Sequence, residues 1–208
     1  MAFDEIFNTK TSSQMNLGVC PLDVMQRAFE LCPGRTSGFK LIYHHARTAE
    51  GPQFGEDDVW GELARQKDVR VIHSVRRNGL ARLISWKVAK QSDIWHHFTN
   101  RPCDDIVRLE PQECEDMWKY CETVDREIEK DFSGHSLLRM EYADLASDIP
   151  SACREMCRFL CLQDHPMKST LQKRKGRSFD RLENFEELKE QFKGTRWEWF
   201  FYDDDPMM

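Results

Sequence analysis

Apolar positions change their period along this chain, and the changes mark out alternating helices and strands. From Pro21 to Cys32, the residues Val24, Met25, Ala28, Phe29 and Cys32 recur at helical spacing, and Pro33-Gly34 stops the run. Phe39 to His44 is short, mostly apolar and rich in β-formers, which predicts a buried strand. A loop containing Gly and Pro leads to a helix around Asp57 to Gln66. Val69 to Val75 predicts the next strand, and Asn78 to Gln91 the helix after it. Residues 92–110 are irregular. Pro111 opens a long helix to about Asp131, with Met117, Cys121, Val124 and Ile128 facing inward. Ser136 to Met140 is the third strand. Asp148 caps and Pro150 opens a helix ending near Leu162, and Asn184 to Phe192 is the last helical stretch. Strands alternating with helices predict an α/β domain, a parallel sheet flanked by helices. A chain of 208 residues fits one such domain, with a frayed acidic tail over 203–208.

Composition narrows the partners. With 40% hydrophobic and 32% charged residues the chain can bury a core. Nowhere do the ~18 apolar residues of a membrane span run together. The first residues show neither a basic n-region nor an apolar h-region, so a cytoplasmic location is expected, although a leader ahead of an internal start would not show. The net charge of −6 argues against bulk nucleic-acid binding, so an anion site must come from local basic residues. The 8 cysteines contain no C-x-x-C pair, and no metal is expected. Cys153, Cys157 and Cys161 recur every four residues, which predicts a small-apolar core stripe on one helix face. Free thiols suit a reducing compartment.

Two basic segments carry the candidate chemistry. In Val71-Ile72-His73-Ser74-Val75-Arg76-Arg77-Asn78-Gly79 a strand ends on an arginine pair where a helix begins. Ligands of parallel sheets bind at that edge, and helix-start N–H groups and guanidinium forks both suit phosphate. Ser85, two helical turns beyond Arg77, joins it on one phosphate only if the helix is suitably turned. The second segment is Lys173-Arg174-Lys175-Gly176-Arg177, where the glycine lets backbone approach an anion. Either alone also reads as a surface charge cluster or a solvated loop. Two in one acidic chain favour a shared anionic ligand.

Together these segments resemble PAPS-dependent sulfotransferases (PAPS being 3'-phosphoadenosine-5'-phosphosulfate), in particular bacterial carbohydrate and nodulation-type members. The spacing Arg77…Ser85 and the later Arg174-Lys175-Gly176 resemble that family's two 3'-phosphate elements. Leu138-Arg139-Met140-Glu141-Tyr142-Ala143-Asp144-Leu145, with Arg158-Phe159-Leu160-Cys161-Leu162 after it, resembles its "YEDL…FLGL" segment. Gly38 to His44 and Arg181-Leu182-Glu183-Asn184-Phe185 are similar too, and the likeness runs in order from about Glu5 to Trp199. It implies a P-loop-NTPase-like fold in which Arg77 and Ser85 hold the 3'-phosphate, Arg174, Lys175 and Gly176 close over it, and Tyr142 lies near the adenine. By bare pattern Tyr142 is equally a core residue at a strand end.

The resemblance also implies the reaction. A sulfuryl group passes from PAPS to a hydroxyl of a carbohydrate, glycolipid or small-molecule acceptor, leaving adenosine 3',5'-bisphosphate (PAP). In cytosolic relatives the base is a histidine shortly after the strand matching Phe39 to His44, which makes His44 and His45 the leading candidates; some bacterial relatives use a glutamate near the first helix, which makes Glu5 the second choice. Bare pattern reads the two histidines as an incidental polar pair. His96 and His97, with Trp95, either line the acceptor pocket or sit on the surface. The family's opening strand and 5'-phosphosulfate loop have no match before Phe39. Pro33-Gly34-Arg35-Thr36-Ser37-Gly38 reads as a helix-terminating loop, while Asp4-Glu5-Ile6-Phe7-Asn8 resembles a "GEIFN" segment that follows the first helix. The chain is therefore expected to start about one βα unit late and to lack the first strand. That would leave Phe39, Leu41 and Ile42 on an unpaired edge, relieved by residues 8–17 folding in, by a homodimer, or by local looseness. The polar 8–17 segment favours the last two. A non-catalytic PAP-binding or interaction remnant is the alternative; a kinase is disfavoured because no G-x-x-x-x-G-K-[ST] occurs.

Overall fold

Residues 58–95, 105–164 and 177–202 are described by the computed structural model, with 22–23, 25–26, 38–43, 47–48 and 51–52. They fall into two units, Met1–Val69 with Gly134–Ser136, and Arg70–Ser133 with Leu137–Met208.

In the first unit, Leu22, Asp23, Met25 and Gln26 are helical, with Met25 buried as its spacing predicts. Strands β1 (Arg47–Thr48) and β2 (Gly51–Pro52) form a minimal antiparallel pair, Thr48 opposite Gly51. Helix α1 (Val59–Arg65) starts where the Asp58 carboxylate accepts a hydrogen bond from the Gly61 N–H at 2.9 Å, satisfying a donor the helix leaves open. It buries Val59, Trp60 and Leu63, and Tyr43 meets Trp60 edge-on at 5.2 Å between centroids. The strand expected over Phe39–His44 is not formed: residues 38–42 pair with no strand and Tyr43 is helical. A short apolar run becomes a strand only when it joins the ladder of a neighbouring strand, and among the described residues neither sheet includes it. The apolar strand edge expected there, and the dimer it would template, lose their basis.

The second unit begins with β3 (Val71–Val75). Asn78 starts α2 (Gly79–Ser92), Pro111 starts α3 (Pro111–Asp131), and the chain returns as β4 (Leu137–Glu141). β3 and β4 pair in parallel from Val71↔Leu137 to Val75↔Glu141. Parallel neighbours need a long crossover, which the intervening chain supplies. Then come α4 (Tyr142–Ser147), α5 (Ile149–Phe159) and α6 (Phe185–Gln191), with single 3₁₀ turns at Ser178–Arg181 and Glu198–Phe201. Asp148 caps α5 through the Ser151 N–H at 2.9 Å. Cys153 and Cys157 lie buried on that helix as expected, but Cys161 does not. The helix ends at Phe159, and Cys161 sits beyond it, exposed, with a left-handed φ of 55°.

The core of this unit joins α2, α3 and the C-terminal segment around Trp118, which is 2% exposed. Its ring lies 4.8 Å from Phe192, 4.9 Å from Phe200 and 5.4 Å from Trp197. The buried face of α3 is Cys114, Trp118, Cys121 and Val124, rotated from the expected one, with Met117 and Ile128 only partly buried. Both sets satisfy three–four spacing, and the aromatic cluster decides between them. Burial pushes the Cys114 thiol up to about 12, with the Glu113 carboxylate adding to it.

Val107 bridges Leu182 in parallel: its N–H donates to the Arg181 carbonyl and its own carbonyl accepts from the Glu183 N–H, each at 2.9 Å. Buried Asn184 extends the pairing by one step, accepting from the Leu109 N–H at 3.2 Å and donating to the Leu109 carbonyl at 2.9 Å. Gly79 packs where no side chain fits, since a Cβ there would lie 2.5 Å from Trp118 Cδ1 and 2.9 Å from Phe200 Cε2. Gly79→Ala should therefore destabilise by about 1–3 kcal/mol in a denaturant melt, although alanine is the better helix former. A neutral or stabilising result would place the crowding elsewhere.

Candidate functional site

The site is built at the C-terminal edge of β3. Asn78 is 2% exposed and ties the strand-to-helix turn in two directions. Its Oδ1 accepts from the Ala81 N–H at 2.8 Å, and its Nδ2 donates to the Phe200 carbonyl at 2.9 Å. The arginine pair just before it is thereby held against the start of α2, where open N–H groups and the helix dipole favour an anion.

Arg76, half-buried, gathers three separate parts of the chain. Its Nη1 donates to Ser85 Oγ on α2 at 2.8 Å, and its Nη2 donates to Ser178 Oγ at 3.3 Å. The guanidinium carbon stands 4.9 Å from the centroid of the Tyr142 ring, where β4 passes into α4. Of the residues named from sequence, Ser85 and Tyr142 thus come together, but around Arg76. Arg77 is exposed and lines a pocket of about 370 Å³. Neighbours at a strand end project in different directions, so only Arg76 meets Ser85, although both arginines line the pocket. Arg76 is legible in the sequence as the first of the arginine pair, and Ser178 follows Gly176 by two residues.

The pocket is strongly cationic. Arg76, Arg77, Arg82, Arg139 and Arg196 line it beside Trp199, Glu122 and Asp125. Arg139 is engaged by Glu129 at 2.5 Å and Glu141 at 3.3 Å, and Arg196 by Glu122 at 2.7 Å. Among the described residues neither Arg77 nor Arg82 has a carboxylate partner. Cys121 also lines the pocket, yet burial pushes its thiol up and the Arg82 guanidinium offsets this only in part. It is a packing residue there, not a nucleophile. Guanidinium forks, a polarised hydroxyl and a helix start form a donor set suited to phosphate or sulfate oxygens. Among the described residues no cluster of His, Cys, Asp or Glu is arranged to hold a metal.

Glu5, His44, His45, His96, His97, Arg174, Lys175 and Gly176 lie outside the described residues. Trp95 is 49% exposed, its Nε1 at 3.4 Å from Asp93 Oδ1. No helix among the described residues is long and apolar enough to cross a membrane.

No family model matches the chain, and no solved structure does. Among curated proteins it matches nodulation protein H of Rhizobium tropici at 34% identity over 172 residues, which covers 80% of this chain and 68% of that protein. Identity at that level over four-fifths of the chain, together with the motif order described above, makes the protein a member of the nodulation protein H family of sulfotransferases.

Proposed function

We propose that the chain moves a sulfuryl group from PAPS to a hydroxyl of a carbohydrate, glycolipid or small-molecule acceptor and releases PAP. The observation that carries this reading is the Arg76 bridge, which brings Ser85, Ser178 and Tyr142 to the strand edge where α2 starts. Ser178 directly follows the second basic segment, so the chain just after that segment reaches the first. The donor set fits a phosphate ester. Ser85 accepts from Arg76, which leaves its own proton for an anion, and Arg77 and Arg82 add charge that no carboxylate among the described residues pairs with.

PAPS supplies the activated sulfuryl group, whose bond to the phosphate oxygen breaks as the acceptor oxygen bonds to sulfur. The acceptor proton passes to a base, for which His44, His45 and Glu5 are the candidates. Ser85 and the arginines hold the 3'-phosphate and so fix the donor's position, with Arg174, Lys175 and Gly176 closing over it and Tyr142 beside the adenine. Positioning and fixed positive charge are the protein's contributions. The architecture we assign is the P-loop-NTPase-like sulfotransferase fold.

Calorimetry should show PAP binding more tightly than 5'-AMP, and Arg77→Ala and Ser85→Ala should each remove about ten-fold or more of that preference. Equal affinity of the unmodified chain for the two nucleotides would sink the reading.

A further inference from the structure

We infer that Arg76 is a positioning residue of this site, which orients the Ser85 hydroxyl toward the 3'-phosphate and is itself anchored by Ser178, on the segment that follows the second basic element. The inference rests on the nucleotide reading above and goes beyond it by assigning Arg76 and Ser178. One guanidinium donates to both hydroxyls, at 2.8 and 3.3 Å, across sequence separations of 9 and 102 residues. Its plane is held by the Tyr142 ring at 4.9 Å. A serine hydroxyl has a single proton. With Ser85 Oγ accepting from Arg76, and no bond from Ser85 to a carbonyl of its own helix among the described residues, that proton is available to a ligand oxygen. Arg76 thus sets which way Ser85 donates, and couples that choice to the segment just after Arg174-Lys175-Gly176.

A lysine at this position would keep the charge and lose the function. An ammonium is a point charge on a flexible stem; it cannot present the rigid planar fork that spans two hydroxyls while lying on an aromatic face. Had Arg76 served only as a charge, lysine would largely replace it.

The test is calorimetry of the full chain with PAP and with 5'-AMP, for the unmodified protein, Arg76→Lys, Ser85→Ala and the double variant, with circular dichroism to check folding. The expected result is a PAP preference that falls about ten-fold in Arg76→Lys and by a similar factor in Ser85→Ala. The double variant should lose no more than either single one, because both remove the same oriented donor. An Arg76→Lys protein that keeps the preference, or losses that multiply in the double variant, would overturn the inference while leaving the nucleotide reading standing. An unmodified protein with no preference overturns the nucleotide reading instead, and this inference with it. If Arg76→Lys does not fold, Ser85→Ala and Ser178→Ala give the decision: their losses should be non-additive because one guanidinium links the two, and additive losses overturn the inference.

Discussion

Trp118→Ala is expected to lower the stability of the protein by about 3–5 kcal/mol, the largest single loss we anticipate. Trp118 is 2% exposed and lies within 5.4 Å, ring centre to ring centre, of Phe192, Trp197 and Phe200. Truncation removes that aromatic contact and opens a cavity among side chains from α2, α3 and the C-terminal segment, which cannot collapse together because each is anchored separately. A whole domain has only about 5–15 kcal/mol of stability, so this variant should be marginal at room temperature. Trp118→Phe should cost much less, about 1–2 kcal/mol, since the indole Nε1 has no hydrogen-bond partner to lose and most of the volume is kept. Urea melts of the two variants check both values. A loss below about 1 kcal/mol for alanine would show that Trp118 is not the centre of the core.

Asn184→Ala should cost about 2–4 kcal/mol, more than its small volume suggests. Its carboxamide satisfies both backbone groups of Leu109, a fully buried residue at 0% exposure. Alanine would leave a donor and an acceptor buried without partners, and each such group costs about 1–3 kcal/mol. Asn184→Asp should do no better. A carboxylate still accepts from the Leu109 N–H, but it sets a charge against the Leu109 carbonyl in a buried place. Hydrogen exchange gives a local check, because the Leu109 amide should exchange far faster in Asn184→Ala while β3 amides change only with global stability. Unchanged exchange at Leu109 would mean that the clamp is not what protects it.

These two residues were unequally legible. Asn184 belongs to a segment whose likeness to sulfotransferases is plain in the sequence, yet nothing local says that it clamps Leu109, 75 residues away. Trp118 was passed over because 117–121–124–128 and 114–118–121–124 are equally good helical stripes. Elements that depend on local chemistry had legible starts: α3 from Pro111, α2 from Asn78, α5 from Asp148, and β3 from its β-rich run. The candidate edge was readable for the same reason, since a strand ending in Arg76-Arg77 before a helix start is a local statement.

By itself, then, the sequence determined the order of these elements, the family and the place where an arginine pair meets a helix start. Period, capping and turn chemistry act over a few residues, and the order of the motifs can be read without any contact being known. Tertiary structure alone decided that Arg76 and not Arg77 meets Ser85, that α3 presents Trp118, and that residues 38–42 pair with no strand among the described residues. Each of these choices is set by the direction of a side chain or by the presence of a partner far along the chain. Neighbouring residues of similar type differ by nothing that a sequence pattern records, and only the packing around them separates one from the other.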